Sequence, residues 1–73
     1  MSFKSAQSAK IGKIFKQKRL SMSITLEEVA EKTLINIEYL KGIESGDYSV
    51  FPARTFALKY YEKYADFLDI TQP

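Results

Sequence analysis

Seventy-three residues suffice for one domain, and a domain of that size buries only about 60% of its unfolded surface, leaving one shared core and little room for an enzyme cleft. The chain has neither cysteine nor histidine, which removes disulfides, thiol chemistry, the usual zinc ligand sets and the commonest general base, so no catalysis, metal or cofactor is expected. No apolar run approaches the ~20 residues that span a bilayer, and the N-terminus MSFKSAQSAK lacks the apolar centre of a signal peptide; a soluble chain with a cytoplasmic address is expected.

The net charge of +2 is too small to argue for nucleic acid, but its distribution is informative. Residues 1–24 carry Lys4, Lys10, Lys13, Lys16, Lys18 and Arg19 without an acid. Residues 25–48 carry Glu27, Glu28, Glu31, Glu38, Glu44 and Asp47 against Lys32 and Lys41, a local charge of −4, and the remainder is neutral.

Residues 1–9 are polar, small and without period, and read as a flexible arm. A domain follows over 10–70, with a tail at 71–73. From Lys10 to Leu20, Ile11, Ile14 and Phe15 mark the buried face of a first helix, and Lys13, Lys16, Gln17, Lys18 and Arg19 form its polar remainder. Ser21-Met22-Ser23 connects, and Ile24 is a hydrophobic staple before Thr25. Thr25 and Glu28 form a capping box, which fixes the start of a second helix, Leu26 to Lys32, with Leu26, Val29 and Ala30 at helical spacing. Ala30 gives the small side chain that a steep crossing needs. The corner Thr33–Asn36 leads to a third helix, Ile37 to Ser45, capped by Asn36 and carrying Ile37, Leu40 and Ile43 inward. This pair is a helix-turn-helix.

Gly46 suits the left-handed residue that ends the third helix. Asp47-Tyr48-Ser49 reads as a turn, and Val50 and Phe51 as a return to the core. Pro52 suits the first turn of a fourth helix, Pro52 to Leu68. At about 100° per residue, Ala53, Ala57, Leu58, Tyr61, Tyr64, Ala65 and Leu68 occupy an arc of roughly 140°, enough for a core face. Phe56, Tyr60 and Phe67 fall outside it along one margin, beside Lys59 and Lys63. So small a domain can use such rings as an oversized core, but aromatics are also enriched at protein interfaces and their hot spots. The latter reading predicts that removing Phe56 and Tyr60 together leaves the fold unchanged. The fold class expected is all-α, four helices with a central helix-turn-helix, or five if the fourth breaks near Lys59 to Tyr61.

A DNA-reading module of this kind turns the start of its second helix to base edges. Those positions are Asn36, Ile37, Glu38 and Lys41. Asn36 could pair with an adenine edge and Lys41 with a phosphate or guanine. Glu38 opposes them, and a locally acidic surface forgoes the phosphate term from which non-specific affinity comes.

The order of motifs, IGKIFKQKR, ITLEEVAEKT, INIEYLKGIESGDYSVFP and RTFALKYYEKYADFL, resembles the cytoplasmic helix-turn-helix domain of the RodZ bacterial cell-shape family. The likeness spans about Ile11 to Ile70. Its first half is shared with Cro and phage-repressor-like DNA-binding domains, whereas YLKGIESGDYSVFP followed by an aromatic helix is more particular. The resemblance implies a Cro-like fold and a domain of a membrane-anchored protein, on the cytoplasmic face of the inner membrane, that binds the actin-like filament protein MreB. It implies that aromatics of the fourth helix, here Phe56 and Tyr60, make the contact, with Lys59 and Lys63 beside them. A Cro-like transcription regulator using Asn36, Ile37, Glu38 and Lys41 is the alternative. The chain departs from the family pattern at Lys18, where a small core residue is usual, at Ser23 and Leu34, where glycine is common, and at Lys59, a site often held by glycine.

Overall fold

The computed structural model describes residues 6–70; the expected tail at 71–73 and the first five residues of the expected arm lie outside that range. Four α-helices follow in order: α1 (Ala6–Ser21), α2 (Leu26–Thr33), α3 (Ile37–Ser45) and α4 (Arg54–Phe67), with a single 3-10 turn at Tyr48–Val50. The expected all-α class with a central helix-turn-helix is what the chain adopts, and no β-strand occurs among the described residues.

The helix-turn-helix forms for the reasons its residues suggest. Thr25 Oγ1 accepts from the Glu28 amide at 3.1 Å and Glu28 Oε1 accepts from the Thr25 amide at 3.0 Å, closing the capping box. At the corner, Leu34 takes a left-handed conformation (φ 61°) and its amide donates to the Ala30 carbonyl. Thr33 Oγ1 donates to the Val29 carbonyl and accepts from the Ile35 amide, so the buried polar groups of the corner are paired. Asn36 Oδ1 then accepts from the Glu38 amide at 2.8 Å and starts α3. Gly46, at φ 75°, ends it as expected.

Two turn residues share a geometry. Ser23 and Leu34 both stand at positive φ, 58° and 61°, the region that glycine enters without steric cost. The turns therefore keep the shape that glycine favours, with ordinary side chains held in it.

The first helix begins at Ala6, four residues before Lys10. The stretch that looks structureless is used for close approach: its small residues Ser8 and Ala9 lie so near Gly46 that a Cβ there would stand 2.5 Å from the Ala9 amide. One turn on, Gly12 lets the same helix rest on the Ile43 and Glu44 carbonyls, and α1 packs more extensively on α3 than on any other element.

The core gathers Phe15, Val29, Leu40, Ile43, Tyr64 and Leu68, all essentially sealed from solvent. Some inward expectations fail at its edges. Ile14 and Leu58 are more than half exposed, Val50 is exposed and Ala53 is exposed. Leu58 lies where α4 runs past the N-terminal half of α1, with a groove left between them. Val50 lies over Gly42 on the surface. Helix α4 begins at Arg54 and not Pro52, because the backbone is extended at Phe51 and Ala53 where it brings the Phe51 ring inward. It then runs unbroken through Lys59–Tyr61.

The largest departure is Arg19. Placed with the polar remainder of α1, it is instead buried. Its Nε and Nη2 donate to the two Glu44 carboxylate oxygens at 2.7 and 3.0 Å, and Nη1 donates to the Ile24 carbonyl at 2.9 Å. Tyr64 adds its hydroxyl to Glu44. This cluster joins α1, α3 and α4. The signal was spacing: Arg19 is four residues after Phe15 and eight after Ile11, on the buried side of α1.

Candidate partner-binding surface

Helix α4 presents two unlike margins either side of its buried row Ala57, Tyr64 and Ala65. On the one facing α3, Phe56 is 42% exposed and its ring lies parallel to that of Tyr60, with centroids 6.5 Å apart and planes 13° from parallel. Tyr60 is half-buried. It rests on Tyr39 of α3 at 5.2 Å and on Phe51 at 6.4 Å, and those two rings meet at 4.8 Å. Tyr48 closes the far end edge-on against Phe51, 5.8 Å away. Five rings thus run from solvent at Phe56 into the core at Phe51.

The order of burial corrects one expectation. Tyr60 and Phe67, placed outside the core with Phe56, are half-buried and pack against it. Tyr60 is the support and Phe56 the exposed ring. Removing both would therefore disturb the fold, since Tyr60→Ala opens a gap between Phe51 and Phe56; Phe56→Ala alone is the substitution that leaves the interior intact. Tyr39, which the sequence reading missed, supplies half of that support. It precedes Ile43 by one turn of α3, a spacing that places the two on adjoining parts of one face.

Charge surrounds the ring row on its outer side. Lys59 Nζ stands 5.6 Å from the Tyr60 centroid, within range of a cation–π contact. Lys63, one turn on, is exposed. Burial pushes the Tyr48 hydroxyl up to about 12, with the nearby Tyr61 adding to it. An exposed aromatic ring on a rigid base, rimmed by cations, is suited to entering an apolar pocket with acidic edges.

The other candidate surface, the start of α3, is differently disposed. The Asn36 carboxamide oxygen is engaged in capping. Lys41 Nζ lies 3.5 Å from Glu38 Oε2, so the cation expected to meet phosphate or guanine already faces a carboxylate. Ile37 is half-buried, and Glu27, Glu28 and Glu31 are exposed on α2. The structure brings Asn36, Ile37, Glu38 and Lys41 together on one helix start, and their charges cancel there.

The family model of a helix-turn-helix domain matches residues 14–72, which is most of the chain. The protein belongs to this helix-turn-helix family. No curated protein and no solved structure matches it. No helix among the described residues is long and apolar enough to cross a membrane.

Proposed function

We propose that this helix-turn-helix domain is a cytoskeletal adaptor of the RodZ-like kind, which docks on the actin-like protein MreB through the α3-facing margin of α4. Phe56 is the ring that enters the partner, Tyr60 fixes its orientation, and Lys59 and Lys63 meet acidic groups at the rim. In an intact chain anchored at the inner membrane, this contact couples filament to membrane from the cytoplasmic side. The observation that carries the reading is the exposure of Phe56 on a support of four further rings, because preorganised aromatic side chains contribute most to protein interfaces. The charge cancellation at the start of α3 argues against a Cro-like reader of DNA.

Parallel titrations of the labelled domain at low salt, against purified MreB and against duplex DNA, test this reading. It requires binding to MreB. Binding to DNA alone, falling steeply as salt rises, overturns it and moves the functional residues to Asn36 and Lys41.

A further inference from the structure

The outer face of α1 carries charge of one sign. The helix has no acidic residue along its 16 residues, and of its five cations only Arg19 is buried, with its charge met by Glu44. Lys10, Lys13, Lys16 and Lys18 are exposed, and the ion pairs among the described residues, Arg19–Glu44 and Lys41–Glu38, use none of them. Every exposed acid among the described residues lies on α2, α3 or α4 or in the turn after α4.

Apolar side chains share that basic face. At about 100° per residue, with Phe15 taken as the inward direction, Gln17 points outward and Lys10 and Lys13 fall within about 40° of it. Ile14 and Leu20 lie about 60° to either side of that direction, and Lys16 and Lys18 about 100° to either side. Ile14 is 55% exposed and Leu20 50%. Gly12 and Arg19, which hold α1 against α3, lie roughly opposite, so the face is turned away from the helix-turn-helix.

We propose that this face of α1 lies flat on an anionic lipid bilayer as a peripheral contact. Lys10 and Lys13 meet the headgroup phosphates directly, and the long stems of Lys16 and Lys18 bend to them from the sides. Ile14 and Leu20 enter the boundary between headgroups and acyl chains, where their aliphatic surface leaves water. Nucleic acid offers the same phosphate charge but no apolar layer for two aliphatic side chains set among lysines, so the combination selects lipid. The α3-facing margin of α4 takes no part, which leaves Phe56 uncovered and makes this inference independent of the contact with MreB.

Cosedimentation of the 73-residue chain with vesicles at low salt tests the proposal. Vesicles of phosphatidylcholine containing about 30% phosphatidylglycerol should carry the protein down, vesicles of phosphatidylcholine alone should not, and added salt should release it. Lys10→Gln and Lys13→Gln should each weaken the binding about fivefold, whereas Lys32→Gln on α2, which removes the same charge elsewhere, should change it less than about twofold. Ile14→Ser with Leu20→Ser should weaken binding to the vesicles and leave any binding to duplex DNA unchanged, with circular-dichroism melts showing each variant folded. The proposal is overturned if the unaltered chain ignores anionic vesicles or if Lys32→Gln costs as much as Lys13→Gln. It is overturned equally if the double serine variant binds vesicles undiminished, since the face would then be a site for polyanions in general. Phe56→Ala should leave vesicle binding unchanged.

Discussion

Arg19 and Glu44, 25 residues apart in the chain, form a two-point ion pair whose side chains are only 9% and 7% exposed. A charge removed from water this fully is tolerable only while its partner and remaining hydrogen bonds are present. The pair has both: Ile24 supplies a carbonyl to Arg19, Tyr64 a hydroxyl to Glu44, and no buried side-chain polar atom among the described residues lacks a partner. Arg19→Met should therefore destabilise the domain by about 3 kcal/mol, because it strands the carboxylate. Adding Glu44→Gln, which still accepts from Tyr64, should cost less than the sum of the two single changes. Urea unfolding of the four proteins measures this; strict additivity would show that the pair is not coupled.

Alkaline pH should loosen the fold through two tyrosines. Burial, and then the adjoining Glu44 carboxylate, raise the Tyr64 hydroxyl far above its ordinary value near 10, and burial raises Tyr48 to about 12. In the unfolded chain both ionise near pH 10. The folded state thus holds protons that the unfolded state releases, so this stabilisation is complete below about pH 10 and is lost as pH rises, Tyr48's share being exhausted near 12. The slope approaches at most about 1.4 kcal/mol per pH unit for each tyrosine. Urea midpoints from pH 8 to 11 should fall only above about 10, and Tyr64→Phe should flatten the fall even though it lowers stability at neutral pH.

Local signals made the helix-turn-helix legible. The Thr25–Glu28 box, Asn36, and the spacing of Val29, Leu40 and Ile43 each act within a few residues, and each acts as its chemistry suggests. What escaped depends on contacts between distant parts of the chain. Arg19 looks like one more solvated cation until α3 brings Glu44 against it, and Ser8 and Ala9 look aperiodic until Gly46 lies beside them. The aromatic margin lies between. A helical wheel separates Phe56 and Tyr60 from the Tyr64 row, but it knows only α4, and it was Tyr39 and Phe51 from elsewhere that covered Tyr60 and left Phe56 open.

The corner between α2 and α3 carries a cost that a substitution can remove. Leu34 holds φ 61° with the residue 86% exposed, so it gains little burial to offset a left-handed conformation that disfavours a β-carbon by roughly 1 kcal/mol. Leu34→Gly should leave stability equal or raise it by up to about 1 kcal/mol. Thr25→Ala, in contrast, removes the cap of α2 and should cost about 1 kcal/mol. Thermal melts of the two variants should shift in opposite directions or, at the least, only the second should fall.

The division of labour between Phe56 and Tyr60 gives the most direct test of the adaptor account, because Phe56 can be removed without opening the core. Cosedimentation with MreB filaments should be compared for the unaltered domain and Phe56→Ala, at matched circular-dichroism spectra and melting temperatures. The account predicts a loss of at least about 2 kcal/mol of binding, near thirtyfold in affinity, with a melt shifted by only a few degrees. Undiminished cosedimentation of a folded Phe56→Ala domain, or no cosedimentation of the unaltered one, would contradict it.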